Sequence, residues 1–159
     1  MKPLLLTLLL ALSIPALRAD VVRPAPEFFW VDASGARKSS KSLLGRPVIL
    51  LVADSPREWA FRSQVGQLQK MYERLASEKA VCVAAFSGTP GIVRSNIPFV
   101  SVADGPRASQ DLQIERGFGI AVIGKDGNLD YSGSHVIPVQ RIYDILDNSF
   151  AVQKALRRP

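Results

Sequence analysis

The chain has 159 residues, a formal net charge of +6 and 47% hydrophobic residues, enough for one domain with its own core. Its charges are scattered, and the basic stripe with interleaved aromatic residues that nucleic-acid binding requires is absent. One cysteine and one histidine provide neither an internal disulfide nor a His/Cys cluster for a metal ion. We therefore expect no nucleic acid, no metal and no cofactor.

The first nineteen residues have the pattern of a secretory signal peptide. Lys2 supplies the positive charge, Leu4–Ile14 is apolar, and the small residue Ala19 lies at the expected cleavage point. The apolar segment has about ten residues, whereas a membrane-spanning helix needs roughly 20. We therefore expect removal of residues 1–19 and export of one domain, residues 20–159, to the periplasm or the medium, without a membrane span.

The strands are predicted by alternating and continuous apolar patterns. The segment "FFWVDASGARKS" alternates around a turn at Ser34-Gly35 and predicts a short hairpin, and "SKSLLGRP" predicts one helical turn that Gly45 closes. The runs "VILLVA", "AVCVAAF" and "FGIAVIG" predict strands of the type that a sheet buries on both faces. "FVSVAD" predicts a further short strand, and "KDGNLDYSG" predicts a tight turn and a returning strand.

A helix is predicted directly after the first apolar run. Ser55 is the expected N-cap, Pro56 suits the first helical position, and Glu58 completes a capping box. The helix is predicted to continue to about Ser77, because apolar residues recur at steps of three and four. The predicted core face of this helix consists of Phe61, Val65, Leu68, Tyr72 and Leu75.

Two more helices complete the predicted architecture. Asp104 is expected to cap a short helix over "GPRASQDLQI". The segment "PVQRIYDILDNSF" starts at a proline and carries apolar residues at helical spacing as far as Phe150. Parallel strands joined by helices, followed by an antiparallel hairpin and a last helix, predict an α/β fold: a three-layer α/β/α sandwich around a mixed sheet.

The order of these motifs resembles the thioredoxin-like superfamily, in particular its peroxiredoxin and thiol–disulfide branch. "APEFFWVDASGARKSSKSLLGRPVILLV" resembles the start of that branch, "IPFVSVADGPRASQDLQI" a later strand that ends in Asp before a helix, and "GIAVIGKDGNLDYSG" the closing hairpin. The resemblance covers most of Pro26–Phe150. "VIGKDGNLDYSG", followed by "IYDILDN", is also similar to an uncharacterised family of exported thioredoxin-like domains without a cysteine pair.

The resemblance implies a reactive site at the start of the helix after the first core strand. The C-x-x-C of that branch falls on Arg57-Glu58-Trp59-Ala60, which contains no cysteine, and its cis-proline falls near Gly119-Ile120, where no proline occurs. We therefore predict a binding or accessory module without thiol chemistry, whose partner is a protein or a small ligand. The candidate binding residues are Asp54, Ser55, Arg57, Trp59, Gly119 and Ile120.

Several residues leave alternatives open. Cys82 lies in an apolar run, where burial would make it an inert core residue; if exposed, it would support a one-cysteine oxidoreductase or peroxidase. Trp59 either packs partly under a loop or is an exposed anchor for a partner, and Arg57 with free helix N–H groups could hold an anion. His135 is expected on the surface. A structural envelope role would require a large exposed apolar patch.

Overall fold

Seven strands form one mixed sheet in the computed structural model, which describes residues 22–157. The strands are β1 (Phe29–Val31), β2 (Arg37–Ser39), β3 (Val48–Ala53), β4 (Val81–Phe86), β5 (Phe99–Val102), β6 (Gly119–Ile123) and β7 (Leu129–Gly133). Their spatial order is β2-β1-β5-β4-β3-β6-β7. Strands β3, β4 and β5 are parallel, and every other pairing is antiparallel. The predicted signal peptide lies outside the described residues.

Helices cover both faces of this sheet. They are a 3₁₀ turn (Ser40–Leu43), α1 (Trp59–Gln69), α2 (Tyr72–Ser77), α3 (Gly105–Asp111), α4 (Val139–Asp147) and α5 (Phe150–Leu156). One buried cluster joins the sheet to α1, α2 and α4, and a second joins it to α3 and the 3₁₀ turn. The predicted three-layer α/β/α sandwich is therefore confirmed.

Strand β3 is an interior strand between β4 and β6, and all six of its residues are buried. Alternate side chains of a strand point to opposite faces of the sheet. Accordingly, Ile49 and Leu51 belong to the cluster under α1, whereas Leu50 and Val52 belong to the cluster under α3. Burial on both faces explains why this segment is a continuous apolar run rather than an alternating one.

The helix predicted to end near Ser77 is in fact two helices. The chain leaves helical geometry at Met71, where φ is −114° and ψ is 24°, and α2 begins at the next residue. Met71 is 1% exposed and takes the core position that was predicted for Tyr72, which is 48% exposed. The last predicted helix is also divided, because α4 ends at Asp147 and Phe150 begins α5.

Candidate functional site

The candidate site lies where β3 ends and α1 begins. Strand β3 ends at Ala53, and the turn that follows leads to Glu58, the N-cap of α1. Strand β6 is the antiparallel neighbour of β3, and Gly119 pairs with Val52 one residue before the strand ends. The fold therefore brings the two predicted parts of the site, which are about sixty residues apart in sequence, to the same edge of the sheet.

The predicted capping box is wrong in its details. Ser55 and Glu58 are the ends of a four-residue turn, in which the Glu58 N–H donates to the Ser55 carbonyl oxygen at 3.2 Å. Pro56 occupies the second position of this turn, which favours proline, so the helix begins at Trp59 and not at Pro56. The Glu58 carboxylate reaches back to the backbone N–H of Asp54 at 3.0 Å, one residue before the predicted partner.

Asp54 fixes the loop that follows β4. Its carbonyl oxygen accepts hydrogen bonds from the N–H groups of Gly88 and Thr89, at 3.1 and 2.8 Å, and its carboxylate accepts one from the Ser87 hydroxyl at 2.8 Å. A Cβ on Gly88 would lie 2.9 Å from the Asp54 carbonyl oxygen, so this approach requires glycine. Asp54 therefore joins the turn after β3 to the loop after β4. The sequence did not predict that this loop lies at the site.

Gly119 and Ile120 do not contribute accessible surface. Both are buried, and Ile120 is 0% exposed because it lies in β6 between Leu51 and Gly133. Their inclusion in the predicted binding surface is corrected on this ground: β6 is an interior strand, covered on both faces. Gly117, just before the strand, comes closer to the site, since a Cβ there would lie 3.6 Å from Glu58 Oε1.

Trp59 and Arg57 provide the accessible part of the site. Trp59 is 76% exposed, so the alternative in which it packs under a loop is wrong. The Arg57 side chain is exposed and has no salt-bridge partner within residues 22–157. The Ser55 hydroxyl accepts from the backbone N–H of Arg57 at 3.3 Å, and this bond does not involve the guanidinium. An aromatic ring and an unpaired cation therefore face solvent at the start of α1.

Cys82 is buried beneath α1 and does not reach this surface. Its side chain is 2% exposed in the cluster beneath α1, and burial raises the pKa of its thiol to about 12. Only the thiolate is a competent nucleophile, and a thiol with such a pKa stays protonated at neutral pH. His135 is exposed, as expected, with Nδ1 3.3 Å from the Ser134 hydroxyl. Within residues 22–157 no three His, Cys, Asp or Glu side chains are placed to share a metal ion.

Concave regions lie beside the candidate site rather than at it. A cavity of about 1120 Å³ opens between the β6–β7 turn and helices α4 and α5, with Asp130 and Arg141 in its lining. Another, of about 470 Å³, lies at the ends of β4 and β5, with Ser87, Gly88 and Asp104 in its lining. Neither cavity includes Arg57 or Trp59, and Trp59 is 76% exposed.

Solved structures with the same architecture decide the fold. Peroxidoxin BcpB from Mycobacterium tuberculosis matches with a TM-score of 0.60 and 15% identity, over 86% of this chain and 97% of that one. The chain has the thioredoxin-like fold. The mitochondrial 2-Cys peroxiredoxin from Plasmodium falciparum gives a TM-score of 0.61 and 14% identity, over 86% and 97%. The exposed lipoprotein thioredoxin from Streptococcus pneumoniae gives 0.57 and 11%, over 78% and 100%.

The sequence comparisons add no closer relationship. No protein-family model matches the chain, and a comparison with curated proteins finds no relative. The similarity to exported domains without a cysteine pair therefore stays a prediction from the sequence motifs. Over the described range, 22–157, every helix is too short or too polar to traverse a bilayer.

Proposed function

We propose that this thioredoxin-like protein is an exported binding or accessory module without thiol redox chemistry. One observation carries the proposal. The position that the resemblance assigns to the reactive cysteines is Arg57–Ala60, without sulfur, while the only cysteine of the chain is buried in β4. A scaffold that retains the strand, the turn and the helix but not the nucleophile is suited to binding rather than to disulfide exchange.

The accessible residues at the edge have the properties of a binding site. Exposed Trp59 offers a large rigid apolar surface at low entropic cost, as aromatic anchors do in interfaces. Arg57, two residues earlier, adds a guanidinium that makes no salt bridge within residues 22–157. The one-cysteine alternative would require an accessible thiolate, which the 2% exposure of Cys82 disfavours.

The redox part of the proposal is tested by direct assay of the purified protein. Insulin reduction and hydrogen peroxide consumption are measured for the wild type and for Cys82→Ala. We expect both proteins to give the rate of buffer alone. Turnover in the wild type that Cys82→Ala abolishes would overturn the proposal in favour of a one-cysteine enzyme.

The binding part is tested with a photoreactive amino acid at position 57 and, as a matched control, at position 141. Both positions carry an exposed arginine, and Arg141 lies on α4 rather than at the edge. We expect the photoreactive group at position 57 to form covalent adducts with the bound partner, and Trp59→Ala to abolish them. We expect no adducts from position 141. Equal adducts from both positions, or adducts that persist with Trp59→Ala, would contradict a site at this edge.

Export is tested separately by fractionating cells that express the full chain. We expect the protein outside the cytoplasm with Asp20, or a residue close to it, at its N-terminus. Exported protein that still begins at Met1 would contradict cleavage, and retention in the cytoplasm would contradict export.

A further inference from the structure

The outer side of α1 and the loop of residues 87–97 form one continuous face. Near the start of α1 the loop packs on the preceding turn, since a Cβ on Gly91 would lie 2.7 Å from Pro56 Cγ. Near the end of the helix, Gln69 Nε2 donates to the Ser95 hydroxyl at 3.4 Å. The loop therefore runs beside α1 along the length of the helix. We define the α1 face by its exposed side chains: Arg57, Trp59, Arg62, Lys70, Ile92 and Arg94.

Two side chains of the α1 face expose an exceptional amount of apolar surface. Ile92 is 89% exposed and Trp59 is 76% exposed, the highest values for large hydrophobic residues within the described range 22–157. Neither lines the two cavities described above, so both project from the surface. Exposed apolar groups on one face indicate contact with an apolar partner.

The charges of the α1 face all have one sign. Residues 59–70 and 87–97 contain Arg62, Lys70 and Arg94 but no aspartate or glutamate. Arg57 and these three cations have no salt-bridge partner among residues 22–157. The two nearest acids are engaged in the turn before α1: the Glu58 carboxylate accepts from the Asp54 N–H at 3.0 Å, and the Asp54 carboxylate accepts from the Ser87 hydroxyl at 2.8 Å. The face therefore combines unpaired cations with two projecting apolar side chains.

We propose that the α1 face docks on the surface of a bilayer that contains anionic phospholipids. Tryptophan is favoured at the interface between headgroups and acyl chains, and Ile92 supplies a second apolar contact beside it. The four cations match the negative potential of anionic headgroups. Among residues 22–157 no ion pair fixes the geometry of these cations, so they can follow mobile phosphates. The projecting apolar pair fits a flat partner surface better than a cleft.

This inference rests on the binding part of the proposed function, because Arg57 and Trp59 belong to both surfaces, and it names the partner of that site; it does not depend on the absence of thiol chemistry. The α1 face exists whether or not Cys82 is inert, and vesicle binding and thiol assays report on different residues. An acidic protein surface is the competing occupant, and the experiment below separates it from lipid.

The test measures co-sedimentation of the full chain with vesicles of phosphatidylcholine alone or mixed equally with phosphatidylglycerol. We expect binding to the mixed vesicles that falls as salt is raised. Two double variants, Arg62→Gln/Arg94→Gln and Trp59→Ser/Ile92→Ser, should each weaken binding about tenfold or more. Residues 1–19 are common to all proteins, so differences between variants report on the α1 face.

Control variants remove two cations, or one highly exposed apolar side chain, elsewhere on the surface. Lys125→Gln/Arg141→Gln removes two exposed cations from the β6–β7 turn and α4, and Leu156→Ser removes a side chain that is 74% exposed on α5. Both should bind as the wild type does. Equal losses in controls and test variants, or undiminished binding in the test variants, would overturn the proposal. Failure of the wild type to bind mixed vesicles would also overturn it and favour an acidic protein.

Tryptophan fluorescence gives a second readout. The chain has two tryptophans, and Trp30→Phe leaves Trp59 as the only tryptophan, which can be excited selectively at wavelengths that tyrosine does not absorb. The exchange removes Nε1 of Trp30, which is buried without a hydrogen-bond partner. We expect mixed vesicles to shift the Trp59 emission to shorter wavelength and brominated lipid to quench it. Emission that vesicles leave unchanged would contradict insertion of this face.

Discussion

Gln64 binds both backbone groups of Ile137 through its side-chain amide. The Ile137 N–H donates to Gln64 Oε1 at 2.8 Å, and Gln64 Nε2 donates to the Ile137 carbonyl oxygen at 3.1 Å. Gln64 lies on α1 and is 0% exposed, and Ile137 belongs to the segment that leads into α4. The helix that carries the candidate site is thus fixed by a buried polar contact to the segment before α4, on the same face of the sheet.

We expect Gln64→Ala to lower the free energy of unfolding by about 3 kcal/mol, because two buried backbone groups lose their partners. Gln69→Ala is the matched control: Gln69 is exposed on the same helix and makes one 3.4 Å side-chain bond, so its loss should cost less than about 0.5 kcal/mol. Urea denaturation of both variants measures the difference. Equal midpoints would contradict a stabilising role for the Gln64–Ile137 contact.

Helix capping gives a second comparison. The Asp104 carboxylate accepts from the Arg107 N–H at 3.1 Å and caps α3, whereas the Ser55 hydroxyl receives only the 3.3 Å bond in the turn before α1. We expect Asp104→Ala to cost about 1 kcal/mol, as loss of an N-cap does. Ser55→Ala should cost no more than about 0.5 kcal/mol, as an exposed substitution. The reverse order in denaturant midpoints would mean that Ser55 caps α1 after all.

The architecture was predictable from the sequence because the apolar runs are long and the turns carry specific residues. "VILLVA" favoured a strand buried on both faces and forms one, and Asp104 caps a helix as expected. The break at Met71 was not predictable from spacing. Both Met71 and Tyr72 continue a three- or four-residue step from Leu68, and only the packed structure shows which of them faces the core.

The candidate site was predicted less completely than the fold. Its position after β3 follows from chain order, but the loop of residues 87–97 is brought to it only by long-range contacts such as that of Asp54 with Ser87. Ile120 was assigned to the surface because the cis-proline position was located by motif alignment alone, and the strand that buries it begins one residue earlier. The sequence shows that residues 59–70 contain no acidic residue. Only the structure shows that the loop beside them, which also lacks acidic residues, extends the same face.

The buried thiol of Cys82 predicts an alkaline weakness. Burial raises its pKa to about 12 in the folded protein, whereas the ordinary pKa of the thiol, which applies in the unfolded chain, is 9.0. The unfolded thiol releases its proton at a lower pH than the folded thiol. The contribution of Cys82 to the free energy of unfolding is therefore fully present below pH 9 and is lost as the pH rises through 12. We expect Cys82→Ala to flatten the fall in unfolding free energy between these values. A fall of the same steepness in both proteins would contradict burial of the thiol.

Substitution of Asp130 is expected to stabilise the protein. Its Oδ1 accepts from the Phe150 N–H at 3.0 Å, but its buried Oδ2 has no partner, and burial followed by the charge of Asp126 raises its pKa. Stability from this group is therefore lost as pH rises above the usual carboxylate range. Oδ2 of Asp130 and Oδ1 of Asp126 would both lie within 2.9 Å of a Cβ on Gly124.

Asp130→Asn should remove both the cost of burying the charge and its repulsion by Asp126. We expect a gain of about 1 kcal/mol at pH 7, with the bond to the Phe150 N–H retained. The gain should shrink on acidification, as the wild-type carboxyl becomes protonated. Asp126→Asn is a control that relieves only the charge. Thermal unfolding at pH 7 and pH 4 measures both, and a loss of stability in Asp130→Asn would contradict the account of the unpartnered oxygen.

Two cysteines at the start of α1 should restore part of the disulfide exchange that the chain lacks. Arg57→Cys with Ala60→Cys should fold, because Arg57 is exposed and Ala60 is small and half-buried in the first turn of α1. The chain segment before β6 has no proline, and within residues 22–157 every peptide bond is trans, so nothing there reproduces the loop that aligns a substrate disulfide. Ile120→Pro would not repair this, since it removes a ladder donor from a buried strand.

We therefore expect the double-cysteine protein to reduce insulin measurably, the wild type not at all, and a true thioredoxin much faster than either. The carboxylate of Glu58 between the two positions should raise the thiol pKa by repelling the thiolate. Adding Glu58→Gln should then increase the rate while an amide oxygen still accepts from the Asp54 N–H, and Arg57→Cys alone is the control that cannot form the internal disulfide. Insulin reduction by the wild type, or full thioredoxin-like activity from the two cysteines alone, would contradict this account of the edge.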